Sequence, residues 1–256
     1  MEYIDVFGER LSKIGFGTWQ MRGDSCRAGV LSALEMGYRH IDTAEYYQNE
    51  EAVGQAVEQS GLDREKVFLT SKVWSNHFRE DEVQQACEQS LRRLGVDYLD
   101  LYLIHHPSDG VPLEETLAGM QALVEQNKTR YIGVSNFSVS LLEKARSISS
   151  VPIFTDQVKF HPFHRQDELL GYCQEHGLML TAYSPLAQGG VLGDRLLKEI
   201  GENYDKSPAQ VALRWAVQQD KVIAIPKASS VEHQRANLEI FDFELTPEEM
   251  EKIAKL

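Results

Sequence analysis

The chain has 256 residues, 42% of them hydrophobic and 25% charged, with 18 Gly and 8 Pro; this is the composition of an ordinary folded protein and excludes collagen-like and disordered classes. Lys and Arg number 26 against 39 Asp and Glu, and a net charge of −13 repels phosphate backbones and anionic lipid, so neither a nucleic acid nor a membrane is an expected partner. A chain of this length buries about three quarters of its extended surface, enough for a core without metals or disulfides.

Cys26, Cys87 and Cys173 are odd in number, far apart and in no C-x-x-C pair, which fits buried thiols in a reducing compartment. The opening residues Met1-Glu2-Tyr3-Ile4-Asp5 lack a basic stretch followed by an apolar one. No apolar run approaches the ~20 residues of a membrane span, so a cytoplasmic location is expected.

The first predicted element is a hairpin, Tyr3-Ile4-Asp5-Val6 and Arg10-Leu11-Ser12-Lys13 around Phe7-Gly8-Glu9, able to plug one end of a barrel. Short apolar runs then recur at residues 14–17, 39–41, 67–70, 98–104, 129–134, 153–158, 178–182 and 222–225. Segments with helical spacing follow them at 25–36, 49–59, 80–94, 113–126, 141–148, 167–176, 208–219 and 231–238. Thr246-Pro247-Glu248-Glu249 opens a final helix with a capping box. Eight strand-then-helix units without a break in composition predict one (β/α)8 TIM barrel domain spanning residues 1–256. The competing doubly wound Rossmann sheet needs G-x-G-x-x-G after its first strand, and Gly15-Phe16-Gly17-Thr18-Trp19-Gln20 lacks the third Gly.

In such a barrel the active site lies at the C-terminal ends of the strands. Three consecutive runs end in ionisable residues, Asp42, Lys72 and His105, and Tyr47 follows in the loop after Asp42. The set suits proton transfer. A phenol near pKa ~10 is a poor acid at neutral pH, a neighbouring ammonium is expected to lower that value, and Asp42 would hold Lys72 in place. His105 would orient a carbonyl oxygen while Tyr47 donates to it.

These residues stand in motifs that resemble the aldo-keto reductases. Asp42-Thr43-Ala44-Glu45-Tyr46-Tyr47, Thr70-Ser71-Lys72, Leu103-Ile104-His105, Gly133-Val134-Ser135-Asn136-Phe137, Ala182-Tyr183-Ser184-Pro185-Leu186 and Ile225-Pro226-Lys227 fall in family order between Gly15 and Asn237. The likeness is to the compact bacterial reductases acting on 2,5-diketo-gluconate, methylglyoxal and similar small dicarbonyls. It implies NADPH-dependent reduction of small aldehydes and ketones, dicarbonyl or sugar-derived, with Tyr47 as proton donor, Lys72 and Asp42 tuning it, and His105 orienting the carbonyl. The matched coenzyme residues are Gly17, Thr18, Asp42, Ser135, Asn136, Gln157, Tyr183, Ser184, Leu186, Lys227, Ser229, Ser230, His233, Arg235 and Asn237. The matched substrate residues are Trp19, Tyr47, Trp74, His105 and His106. Ala228 and His233 stand where the family commonly has Ser or Thr and Arg, which narrows the margin over NADH; Arg235 lies two positions further round the helix.

His106 replaces a frequent family Trp; neighbours on a strand point to opposite sides, so it is expected to shape the loop or pocket rim and not to duplicate the chemistry of His105. The chain ends at Lys255-Leu256 directly after its last helix, so an open pocket, loose selectivity and weak substrate binding are expected. Trp74, Phe78 and Tyr46 are candidates for pocket lining or plain packing. His161-Pro162-Phe163-His164 has too few partners for zinc, and no metal is expected. Gly133-Val134-Ser135-Asn136-Phe137 lacks the last Gly of a hydrolase elbow. Two alternatives remain: an isomerase using Lys72, Asp42 and His105 without nicotinamide, and a coenzyme-binding sensor with little turnover. Nucleotide-free turnover would mark the first, and the intact Tyr47, Lys72 and His105 set argues against the second. The chain is expected to act as a monomer.

Overall fold

The computed structural model describes all 256 residues. The hairpin is present, β1 (Tyr3–Val6) pairing antiparallel with β2 (Glu9–Ser12). Eight further strands form one parallel sheet whose spatial order follows the chain: β3 (Phe16–Gly17), β4 (His40–Asp42), β5 (Phe68–Val73), β6 (Leu99–Ile104), β7 (Thr129–Ser135), β8 (Ile153–Lys159), β9 (Met179–Tyr183) and β10 (Val222–Ala224). The ring closes where Ile14 bridges Ala224, with the Gly15 N–H donating to Ala224 O at 2.8 Å and the Ala224 N–H to Lys13 O at 2.9 Å. Gly17 is required at this seam, because a Cβ there would stand 2.5 Å from the Ile225 carbonyl oxygen.

The helices are α1 (Gly23–Met36), α2 (Glu50–Gln59), α3 (Glu80–Leu94), α4 (Leu113–Glu125), α5 (Val139–Ile148), α6 (Asp167–His176), α7 (Arg195–Glu202), α8 (Pro208–Gln218), α9 (Val231–Leu238) and α10 (Pro247–Ile253). α1 to α6 and α8 bury apolar side chains in the core around the strands. In α3 the buried residues Val83, Ala86, Cys87, Ser90, Leu91 and Leu94 follow helical spacing, and Gly95 ends the helix at φ 66°. The three cysteines are buried and unpaired. No helix is long and apolar enough to cross a membrane.

Inside the ring, Phe68, Leu101, Leu103, Phe154, Met179 and Ile223 pack against Val6 and Leu11 of the hairpin. The hairpin thus covers the end of the barrel opposite the strand C-termini. Asp100 secures that end, accepting from the Leu69 N–H at 2.9 Å, from Arg64 at 2.8 Å and from Arg130 at 3.0 Å.

The one helix that periodicity did not reveal is α7. It forms within the connection between β9 and α8, capped by the Asp194 carboxylate on the Leu197 N–H at 2.8 Å, and buries Leu197 and Ile200. α10 has the expected capping box of Thr246 and Glu249.

Candidate active site

Parallel register brings the strand-end residues to one mouth. Asp42 pairs with Thr70 and Lys72 with Leu103, while the His105 N–H bonds the Val73 carbonyl just past β6. Lys72 is fully buried, and its three donors have three acceptors: Asp42 Oδ1 at 2.6 Å, Thr43 O at 2.8 Å and the Tyr47 hydroxyl at 3.3 Å. The other Asp42 oxygen accepts from Gln157 Nε2 at 2.7 Å. Burial alone would discharge the ammonium, but Asp42 and then Tyr47 outweigh it and hold the Lys72 pKa above the usual lysine value.

Tyr47 closes a short turn, Glu45–Tyr47, and its ring centroid lies 4.8 Å from Lys72 Nζ. Contrary to the expectation from the sequence, its pKa is raised. Desolvation by burial exceeds the downward pull of Lys72. The resting phenol therefore keeps its proton, and the ammonium beside it lowers the cost of releasing that proton when charge develops elsewhere.

The His105 ring stands 5.6 Å from that of Tyr47 at 77°. Burial first, then Lys72 and His106, push its pKa down to about 2, so the imidazole is neutral. Nδ1 is buried without a partner. Placing the ring proton on Nε2 avoids a buried N–H with no acceptor and leaves a donor for the cavity.

Asn136, held at φ 62°, knits the far side together. Its Nδ2 lies 3.3 Å from His105 O, 3.0 Å from His106 Nδ1 and 3.0 Å from Ser135 Oγ, and its Oδ1 accepts from the Tyr183 hydroxyl at 2.9 Å. His106 corrects a second expectation. β6 ends at Ile104, strand alternation stops there, and the His106 ring stacks on that of His105 at 4.8 Å and 11°, both lining the same cavity.

That cavity has a volume of about 870 Å³ and carries an aromatic wall at its entrance. Tyr46 stacks on Trp74 at 4.0 Å and Trp19 on Tyr46 at 5.9 Å. Phe78 is buried in the outer core instead. Nowhere do three or more His, Cys, Asp or Glu side chains gather to hold a metal.

The sequence profile of the Aldo/keto reductase family matches residues 13–256. The chain belongs to the aldo/keto reductase family. It is 42% identical to the glyoxal reductase of Bacillus subtilis over 250 residues, 97% of this chain and 90% of that protein. A crystal structure of a candidate 2,5-diketo-D-gluconic acid reductase B superposes with a TM-score of 0.98 at 41% identity, covering 100% of this chain and 91% of the other. A thermostable aldo-keto reductase in complex with the inhibitor epalrestat gives 0.96 at 42% identity, covering 100% and 99%. Membership makes the chain an oxidoreductase of carbonyl compounds, a class that generally works with NAD(P)H.

The cavity of this aldo/keto reductase fits such a coenzyme. Lys227 and Lys159 stand on its wall without a carboxylate partner, so in a chain of net charge −13 two free cations face one opening. Gly17, Ser135, Asn136, Tyr183, Ser184 and Leu186 line it as well, and Ser184 adopts φ 49° in the loop leaving β9. Gln157 and Thr18 lie behind this wall, tied to Asp42 side-chain and backbone oxygens respectively. Ser229 and Ser230 precede α9, where the Ser230 hydroxyl caps the His233 N–H at 3.2 Å. His233 and Arg235 project from α9 into solvent, Asn237 is buried, and the Ala228 methyl is buried against the core. Sequence reasoning missed Gln20, Lys159, Gln188 and Gly189 on the wall. The position of Lys159 at the end of β8 was the available signal.

Proposed function

We propose that this aldo/keto reductase reduces small aldehydes and ketones, dicarbonyl or sugar-derived, to alcohols with NADPH, and that Tyr47 supplies the proton. The supporting observation is the commitment of every Lys72 donor, to Asp42, to Thr43 O and to the Tyr47 hydroxyl, beside a neutral His105 at a cavity mouth. The nicotinamide, when bound, supplies a hydride to the carbonyl carbon. His105 Nε2–H holds the carbonyl oxygen, and Tyr47 gives that oxygen its proton as negative charge builds. Lys72 stabilises the resulting phenolate, and Asp42 keeps the ammonium aimed at it. Lys227 suits a coenzyme phosphate, and the exposed His233 and Arg235 on α9 are the groups available to a 2′-phosphate.

The isomerase alternative needs a free base. Lys72 is charged and all its donors are engaged, so it has no lone pair to offer. Buried free cysteines fit work in the reducing cytoplasm. Following NADPH and NADH absorbance separately with methylglyoxal, diketo-gluconate and an aromatic aldehyde tests the reading. Faster oxidation of NADPH is expected; a preference for NADH overturns the coenzyme assignment, and no oxidation of either overturns the activity.

A further inference from the structure

His106 carries a hydrogen-bond donor that no group of the protein accepts. Its protonation state follows from its neighbour. Asn136 Nδ2 lies 3.3 Å from the His105 carbonyl oxygen, which can only accept, so the amide orientation is fixed with nitrogen toward the histidines. At 3.0 Å the same Nδ2 donates to His106 Nδ1, which is therefore the bare nitrogen of the ring. A neutral imidazole then keeps its proton on Nε2. Burial and the charge of Lys72 hold the His106 pKa below the ordinary histidine value, which favours that neutral ring.

The place of the ring is set by packing. The near-parallel His105 and His106 rings, 4.8 Å apart, both meet the edge of Trp74, at 5.0 Å and 5.4 Å, and both line the cavity. Two neutral imidazoles on adjacent residues thus share one cavity wall, one of them assigned to the reacting carbonyl.

We propose that His106 Nε2–H is a specificity-determining donor that binds a second oxygen on the carbon next to the reacting carbonyl, so that the site favours 2-oxoaldehydes and 2-hydroxyaldehydes over plain aldehydes of equal length. This inference rests on the reductase reading above. A substrate lacking the second oxygen leaves the donor unpaired when the cavity fills, which costs it transition-state binding.

The test is the ratio of kcat/KM for methylglyoxal to that for propanal, measured with NADPH in wild type, His106→Asn, His106→Gln and His106→Phe. Aldehyde hydration cancels when ratios are compared between variants. In His106→Asn the amide oxygen replaces Nδ1 as acceptor for Asn136 while the distal donor is lost, and the ratio falls about five-fold, the size of one neutral hydrogen bond. His106→Phe lowers the ratio similarly, and His106→Gln, which returns an N–H near the Nε2 position, keeps part of it. A merely structural role for His106 slows both substrates alike; a ratio within about two-fold of wild type in His106→Asn and His106→Phe overturns the inference. Absence of turnover of both aldehydes by the wild-type protein overturns the reductase reading, and this inference with it.

Discussion

Removing the Lys72 ammonium separates what it does for the fold from what it does for the proton donor. Lys72→Met keeps most of the side-chain volume but withdraws the donors from Asp42, Thr43 O and Tyr47, leaving the buried Asp42 carboxylate with one side-chain partner, Gln157 at 2.7 Å. Deleting one member of a buried ion pair costs about 3–5 kcal/mol, because the survivor keeps its desolvation penalty. Asp42→Asn in the same chain removes that stranded charge, so the double variant should recover about 2–3 kcal/mol.

Activity should not follow stability in this cycle. Neither variant has a cation beside the phenol, and carbonyl reduction is expected to fall about 100-fold or more in both. Urea unfolding followed by circular dichroism reads the first quantity and NADPH oxidation the second. A Lys72→Met protein as stable as wild type, or a double variant that regains stability and activity together, refutes the reasoning.

Burial raises the Asp156 pKa to about 8 against the opposing pull of the Phe137 and Asn136 N–H groups. The folded state thus holds an extra proton between ~4 and that value, and the group's contribution to stability is lost as pH rises through this window. Thermal melts of Asp156→Asn should gain on wild type across that range and level off above it; a pH-independent difference contradicts this. Asp100→Ala, which removes the acceptor shared by the Leu69 N–H, Arg64 and Arg130 while Arg64 keeps two carbonyl acceptors and Arg130 keeps Glu9, should lower stability by about 1–3 kcal/mol, read as a lower urea midpoint. An unchanged midpoint contradicts that assignment. Lys227→Met should weaken NADPH binding roughly ten-fold in a fluorescence titration and lessen its salt dependence, and unchanged affinity would exclude Lys227 from the phosphate site.

The strand-end residues were legible because a closed parallel barrel must present them at one mouth: Asp42 ends β4, Lys72 is the last residue but one of β5, and His105 directly follows β6. What escaped the sequence has specific physical causes. α7 lies behind a glycine-rich turn in the connection after β9, where strand-then-helix alternation calls for one helix and α8 already supplies it. His106 was turned the wrong way because alternation was carried past the last residue of β6. The direction of the Tyr47 shift was missed because chain order names the nearby ammonium but gives no measure of burial, and burial outweighs the ammonium. The bond between Asn136 and His106 joins two loops 30 positions apart and has no local signature.

Tyr47→Phe removes a single oxygen, the one that Lys72 meets at 3.3 Å. Coenzyme binding measured by fluorescence titration should be unchanged in this variant, while NADPH oxidation with methylglyoxal should fall by about 100-fold to 10,000-fold. Oxidation at the wild-type rate would show that the proton comes from elsewhere.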